Sequence, residues 1–123
     1  MQIEVSNGEL LDKLSILEIK SERMDDPVKL AHVQSELEII RQSAVKLLQQ
    51  IPDQYKRLKY LNETLWEIED RLREMEAGQQ FGREFIEKAR MVYRYNDQRA
   101  SIKKEINRIT GSKLTEEKSY KGI

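Results

Sequence analysis

The chain has 123 residues, and its 22 Lys and Arg are matched by 22 Asp and Glu for a formal net charge of zero. A pI near 6.6 argues against a sequence-independent nucleic-acid binder, which needs surplus cations to displace counterions. Cysteine is absent and histidine is limited to His32, which excludes a disulfide framework, a thiolate metal site and a histidine relay.

The length suits one domain spanning 1–123. Charged residues make up 36% of the chain while Pro27 and Pro52 are its only prolines, a profile of long solvated helices. The opening MQIEVSNGELLDK carries acids where a signal peptide wants a basic and then an apolar stretch, and reads as mature and cytoplasmic. No apolar run is long enough to span a membrane.

Ser6 reads as an N-cap, with Glu9 at the capping-box spacing and Val5 and Leu10 at the hydrophobic-staple positions. The first helix is expected over 6–24, with Leu10, Leu14 and Leu17 on one face. Ile16 and Ile19 point roughly opposite, so this helix is either central in a bundle or half-buried in a partner. Asp26-Pro27 caps and starts a second helix over 27–51, where Leu30, Val33, Leu37, Ile40, Ala44, Leu47 and Ile51 keep an unbroken 3,4 spacing. Pro52 leaves a fork between one long kinked helix and a turn. The turn is preferred, because an interior proline costs about 3 kcal/mol. A third helix follows over 53–77, with Gly78 as its left-handed cap, and a fourth over 83–110, closed by Gly111. The remainder, 112–123, reads as an extended tail.

These elements predict an all-α fold, an antiparallel up-down bundle of four long amphipathic helices with coiled-coil-like packing. The first helix is short, about 27 Å against roughly 37–45 Å for the others. That deficit leaves core near the free ends uncovered.

The apolar pattern breaks in the fourth helix, where Asn96, Arg99 and Lys103 fall within the core arc. A central guanidinium needs a carboxylate or an anionic ligand to offset its desolvation. Counting along an up-down bundle puts Glu9 and Asp12 at that level, so a structural ion pair and an anion site are both open. The third helix carries a second mixed stripe, Asn62, Trp66, Glu69 and Arg73. Glu67/Asp70 and Glu84/Glu87 place carboxylate pairs on helix faces, as in helical pyrophosphohydrolases, but in the opposite order. Neither a metal site nor a cofactor is expected. A chorismate-mutase-like use of Arg99, Lys103, Lys13 and Arg41 has no spacing that demands it.

Three segments, VSNGELLDKLSILEIKSERM at 5–24, LNETLWEIEDRLREMEAGQQFG at 61–82 and VYRYNDQRASIKKEINRITGSKLTEEKSY at 92–120, carry a resemblance. The chain resembles an uncharacterised family of small helical bacterial and phage proteins, some encoded near glycosyltransferase and surface-polysaccharide genes. The resemblance implies no activity. It focuses interest on Asp12, Lys13, Glu18, Lys20, Trp66, Glu69, Asp70, Tyr93, Asn96, Asp97, Arg99 and Lys103, and implies that the tail EKSY at 117–120 docks on the bundle.

Two functions follow as expectations. The first is a non-enzymatic helical interaction or scaffold module, a homodimer in contact through Ile16 and Ile19 or the ends of the long helices. The second is binding of an anionic metabolite by Arg99, Lys103 and Asn96, with Asp12, Lys13, Trp66 and Glu69 as further candidates.

Overall fold

The structure is a computed structural model that describes residues 4–112. The EKSY segment lies outside them. Four helices follow one another: α1 (Asn7–Arg23), α2 (Pro27–Gln50), α3 (Pro52–Ala77) and α4 (Arg83–Thr110). Their bounds fall within a residue or two of the sequence expectation, because the caps are chemically explicit. Ser6 Oγ accepts from the Glu9 N–H at 3.1 Å, and Asp26 Oδ1 accepts from Val28 N–H at 3.0 Å ahead of a helix that opens on Pro27. Gly111 closes α4 in the left-handed region at φ 66°.

Two local expectations are corrected. Val5 is 51% exposed, so the staple at the start of α1 is weak. At the end of α3, Gly78 has φ −88° and Gln79 takes the left-handed conformation at φ 53°. The left-handed residue thus falls one position later than expected, and the Gln80 N–H closes the turn on Met75 O at 2.8 Å. A glutamine accepts the left-handed strain of about 1–2 kcal/mol that the preceding glycine would have avoided.

Pro52 marks a reversal. Ile51 alone leaves helical geometry, at φ −136° and ψ 50°, and it is fully buried. Arg23, at the end of α1, reaches Glu67 of α3 at 3.3 Å. A continuous α2–α3 rod would hold Pro27 about 60 Å from Glu67 at 1.5 Å per residue. The chain therefore folds back at Ile51-Pro52.

The bundle is not a square. α1 packs on all three other helices, whereas α2 meets α3 and α4 only sparsely. The arrangement is an α1–α3–α4 triangle with α2 laid on the outer side of α1. This explains the apolar residues on several sides of α1: Gly8, Leu11, Asp12, Leu14, Ser15, Leu17 and Ile19 are all buried. On α2 only Leu37 and Ala44 are buried. The main core joins Leu11, Leu14 and Leu17 to Leu37, Ala44, Ile51, Leu58, Leu61, Ile102 and Ile106.

Pairing fixes the directions. Asn7, Gly8, Glu9 and Asp12 meet Thr110, Asn107, Lys103 and Arg99 in reverse order, so the start of α1 runs antiparallel to the end of α4. α3 and α4 form an antiparallel hairpin, tied near its ends by Gln54–Glu105 and Arg71–Glu84. α1 stops beside Glu63 and Glu67, and α3 continues to Ala77, about 15 Å further. Between Arg83 and Ser101 no α4 residue is buried.

Candidate functional site

The polar residues that break the apolar pattern converge where α1, α3 and α4 meet. Asp12 is 1% exposed. Its Oδ1 accepts from Arg99 Nε at 2.8 Å and from Asn62 Nδ2 at 2.9 Å, and its Oδ2 accepts from Arg99 Nη2. Asn62 also donates to Ser15 Oγ at 2.7 Å, and that hydroxyl donates to the Asp12 carbonyl at 2.7 Å. Arg99 Nη1 donates to Asn96 Oδ1 at 3.3 Å. The fork of Arg99 thus matches the carboxylate on both oxygens, the geometry that offsets the desolvation of a buried charge. The hydrogen bonds from Arg99 to Asp12 push the guanidinium's pKa above its ordinary value, with further help from the fields of Asp12, Glu9 and Glu69.

One turn further along α4, Lys103 Nζ stands 2.8 Å from Glu9 Oε2. The sequence reads Glu9 as the reciprocal half of a capping box, but its carboxylate faces Lys103 instead. Beyond that pair the backbones themselves come together. The Gly8 N–H donates to Asn107 Oδ1 at 2.7 Å, and a Cβ on Gly8 would lie 2.6 Å from the Lys103 carbonyl oxygen. Only glycine permits this approach.

On the α1–α2–α3 side, the Tyr55 hydroxyl donates to Glu18, whose carboxylate also faces Arg41 at 3.6 Å. Burial, reinforced by Glu18, raises the Tyr55 pKa far above the ordinary phenol value.

A shallow groove of about 350 Å³ opens above the cluster, with Lys13, Ile16, Lys20 and Arg99 in its lining. Two of its three cations face acids: Lys13 sits 2.8 Å from Glu36, and Arg99 sits on Asp12. Asn96, Arg99 and Asp12 are therefore joined in one hydrogen-bonded set, with Lys103 one turn away on Glu9. Lys13 lies at the edge of the groove. Trp66 is half-buried on α3 and Glu69 is exposed. Ile16 is part of the groove, whereas Ile19 is 1% exposed and belongs to the interior. Ile19 is thus unavailable as a contact with a second copy, because α1 is the central helix.

The acidic pairs hold cations of the protein. Glu67 meets Arg23, Asp70 meets Arg73, Glu84 meets Arg71, and Glu87 meets Arg83. Among the described residues no three metal-ligating side chains converge.

Gly8, Ser15, Tyr55 and Asn107 escape the sequence reading. Two of them leave a signal. Asn107 follows Lys103 by four residues and so extends the polar arc of Asn96, Arg99 and Lys103. A glycine in the first turn of a well-capped helix costs about 1 kcal/mol against alanine, which marks a close backbone approach.

At the loop end of the α3–α4 hairpin the surface has another character. Phe81 is 51%, Ile86 55% and Tyr93 54% exposed. Phe81 and Phe85 meet edge to face at 5.3 Å. Hydrogen bonds to Arg94 and Arg90 hold the Tyr93 pKa below its usual value.

Fold and cluster together define an all-α bundle in which a buried aspartate is paired with a partly exposed arginine. Its sequence places it further: the chain belongs to the family of unknown function DUF6165, which it matches over residues 1–123. Neither the curated proteins nor the solved structures contain a match to it. Among the described residues no helix is long and apolar enough to cross a membrane.

Proposed function

We propose that the protein is a non-enzymatic, self-associating helical interaction module that works through its α3–α4 hairpin. The observation that carries this reading is the contrast within α4. Its C-terminal half buries Ile102, Ile106 and Asn107, while its N-terminal half buries nothing and leaves Ile86 and Tyr93 more than half exposed. Large apolar side chains grouped on one projecting element mark an interaction surface. The Asp12–Arg99 cluster supports the reading from the other side, because its donors and acceptors answer one another. A group saturated by its own protein holds helices together and has little left to offer a substrate.

The test is the solution mass. Sedimentation equilibrium over a wide concentration range is expected to show species heavier than the 14.6 kDa chain. Aspartate at Ile86 and Tyr93 together is expected to return the chain to monomer with its helical circular dichroism intact. A monomeric wild type at every concentration overturns the reading.

A further inference from the structure

The hairpin carries a charge division that the zero net charge conceals. α4 holds eight Lys and Arg against four acids, Glu84, Glu87, Asp97 and Glu105. The distal part of α3, from Asn62 to Ala77, holds six acids against two bases, Arg71 and Arg73. At 100° per residue, Arg83, Arg90, Arg94 and Arg108 fall on the side of α4 opposite Arg99, Lys103 and Asn107, the residues that touch α1. All four are exposed, and Ile86 and Tyr93 border them. On α3, Glu67, Asp70 and Glu74 are exposed at 3,4 spacing, which makes one acidic edge.

We infer that the occupant of this face is a second copy of the chain, docked so that the arginine edge of α4 lies along the acidic edge of its partner's α3, and the reverse. A two-fold axis parallel to the hairpin makes both contacts at once and sets the paired helices antiparallel. One self-complementary face then closes the assembly without leaving a sticky end. Ile86 and Tyr93 supply the apolar contact, and the charges set orientation and exclude like-charged pairings. The size is sufficient. About 40 Å of α4 and about 24 Å of α3, each about 10 Å across, offer roughly 640 Å² per partner, within the range of specific complexes. The ion pairs that the edges form within one chain do not stand in the way. Arg73–Asp70 and Arg71–Glu74 are exposed pairs at 3.3 Å, weak enough to exchange for contacts across an interface.

This inference rests on the self-association reading and adds a geometry to it, and the experiment separates the two. Sedimentation is run on the full-length wild type, on Arg90→Glu/Arg94→Glu and on Asp70→Lys/Glu74→Lys, with circular dichroism confirming that each folds. Each reversal alone is expected to weaken the dimer about tenfold or more, and an equimolar mixture of the two is expected to recover it. Raising the salt should weaken the wild-type dimer. A wild-type dimer indifferent to both reversals, or a mixture that stays monomeric, overturns the pairing while leaving self-association standing. A wild type that never associates overturns both.

Discussion

The two halves of α4 differ in what their charges do. Toward the C-terminus, Arg99 and Lys103 point inward to acids of α1 and lock two helices whose backbones touch at Gly8. Toward the N-terminus, Arg83, Arg90 and Arg94 point outward beside uncovered apolar side chains. A zero net charge thus conceals two different uses of charge along one helix. A charge pair helps stability only where its partner is fixed and dry, and elsewhere it serves recognition.

If the closed half is a lock, the largest loss follows from removing its key. Arg99→Ala leaves Asp12, 1% exposed, with one side-chain amide for a partner. About 3–5 kcal/mol of stability should disappear, the range for an uncompensated buried charge. Asp12→Asn should cost less, because the Arg99 side chain is 26% exposed and can turn to water. Urea unfolding of both variants measures the asymmetry. Equal losses would show that Arg99, too, is trapped.

Next in size is the backbone contact. In Gly8→Ala the new methyl meets a carbonyl of α4 at 2.6 Å, and backbone cannot move aside as a flexible side chain does. The helices must part, at a cost of about 2–3 kcal/mol. The gain in helix propensity returns about 1 kcal/mol of stability at most. A thermal midpoint that rises in this variant would mean that α1 and α4 are not locked there.

Tyr55→Phe probes the opposite side of α1 and should cost about 1 kcal/mol, the net value of one hydrogen bond. Its signature is the pH dependence. The Tyr55 pKa is raised by burial and by Glu18 above its reference of 10.0. The neutral hydroxyl therefore stabilises the fold fully below pH 10 and loses that contribution as the pH rises from there. The stability gap between wild type and variant is expected to be constant at neutral pH and to close in strong alkali. A gap that widens with pH contradicts the assignment of that hydrogen bond.

The helices were legible because each begins and ends on residues with one strong local preference. Ser6, Asp26-Pro27 and Gly111 announce their roles through backbone chemistry that does not depend on the fold. The level of Arg99 against Asp12 was also legible, since helix rise and an up-down order are enough to count it. What stayed hidden depends on how the helices are arranged in space. Ile16 and Ile19 leave open whether α1 is central or faces a partner, and α1 is central because α2 and α3 diverge at Ile51. Gly8, Ser15 and Tyr55 carry no periodic signal, and they matter only through neighbours far away in sequence. The groups that form the cluster were visible, and the choice between an ion pair and an anion site was not.

The smallest effect is expected in the distal half, and it bears most directly on the contrast between the two. Arg71 grips Glu84 with two hydrogen bonds, at 3.0 and 2.8 Å, a better geometry than most ion pairs in the molecule. Glu84 holds the Arg71 pKa above its ordinary value, and Arg71 in turn holds Glu84 below its reference of 4.5. Both side chains are in water, however, where a Debye length of about 8 Å at physiological salt screens them. Arg71→Ala should therefore leave the unfolding midpoint unchanged at that salt. A difference should emerge only at low ionic strength, above the carboxylate range, and should vanish as acid protonates Glu84 below 4.5. If Arg71→Ala instead unfolds the hairpin at physiological salt, then this end too is held by its charges. They would then not be free to recognise a partner, and the division of labour along α4 would fail.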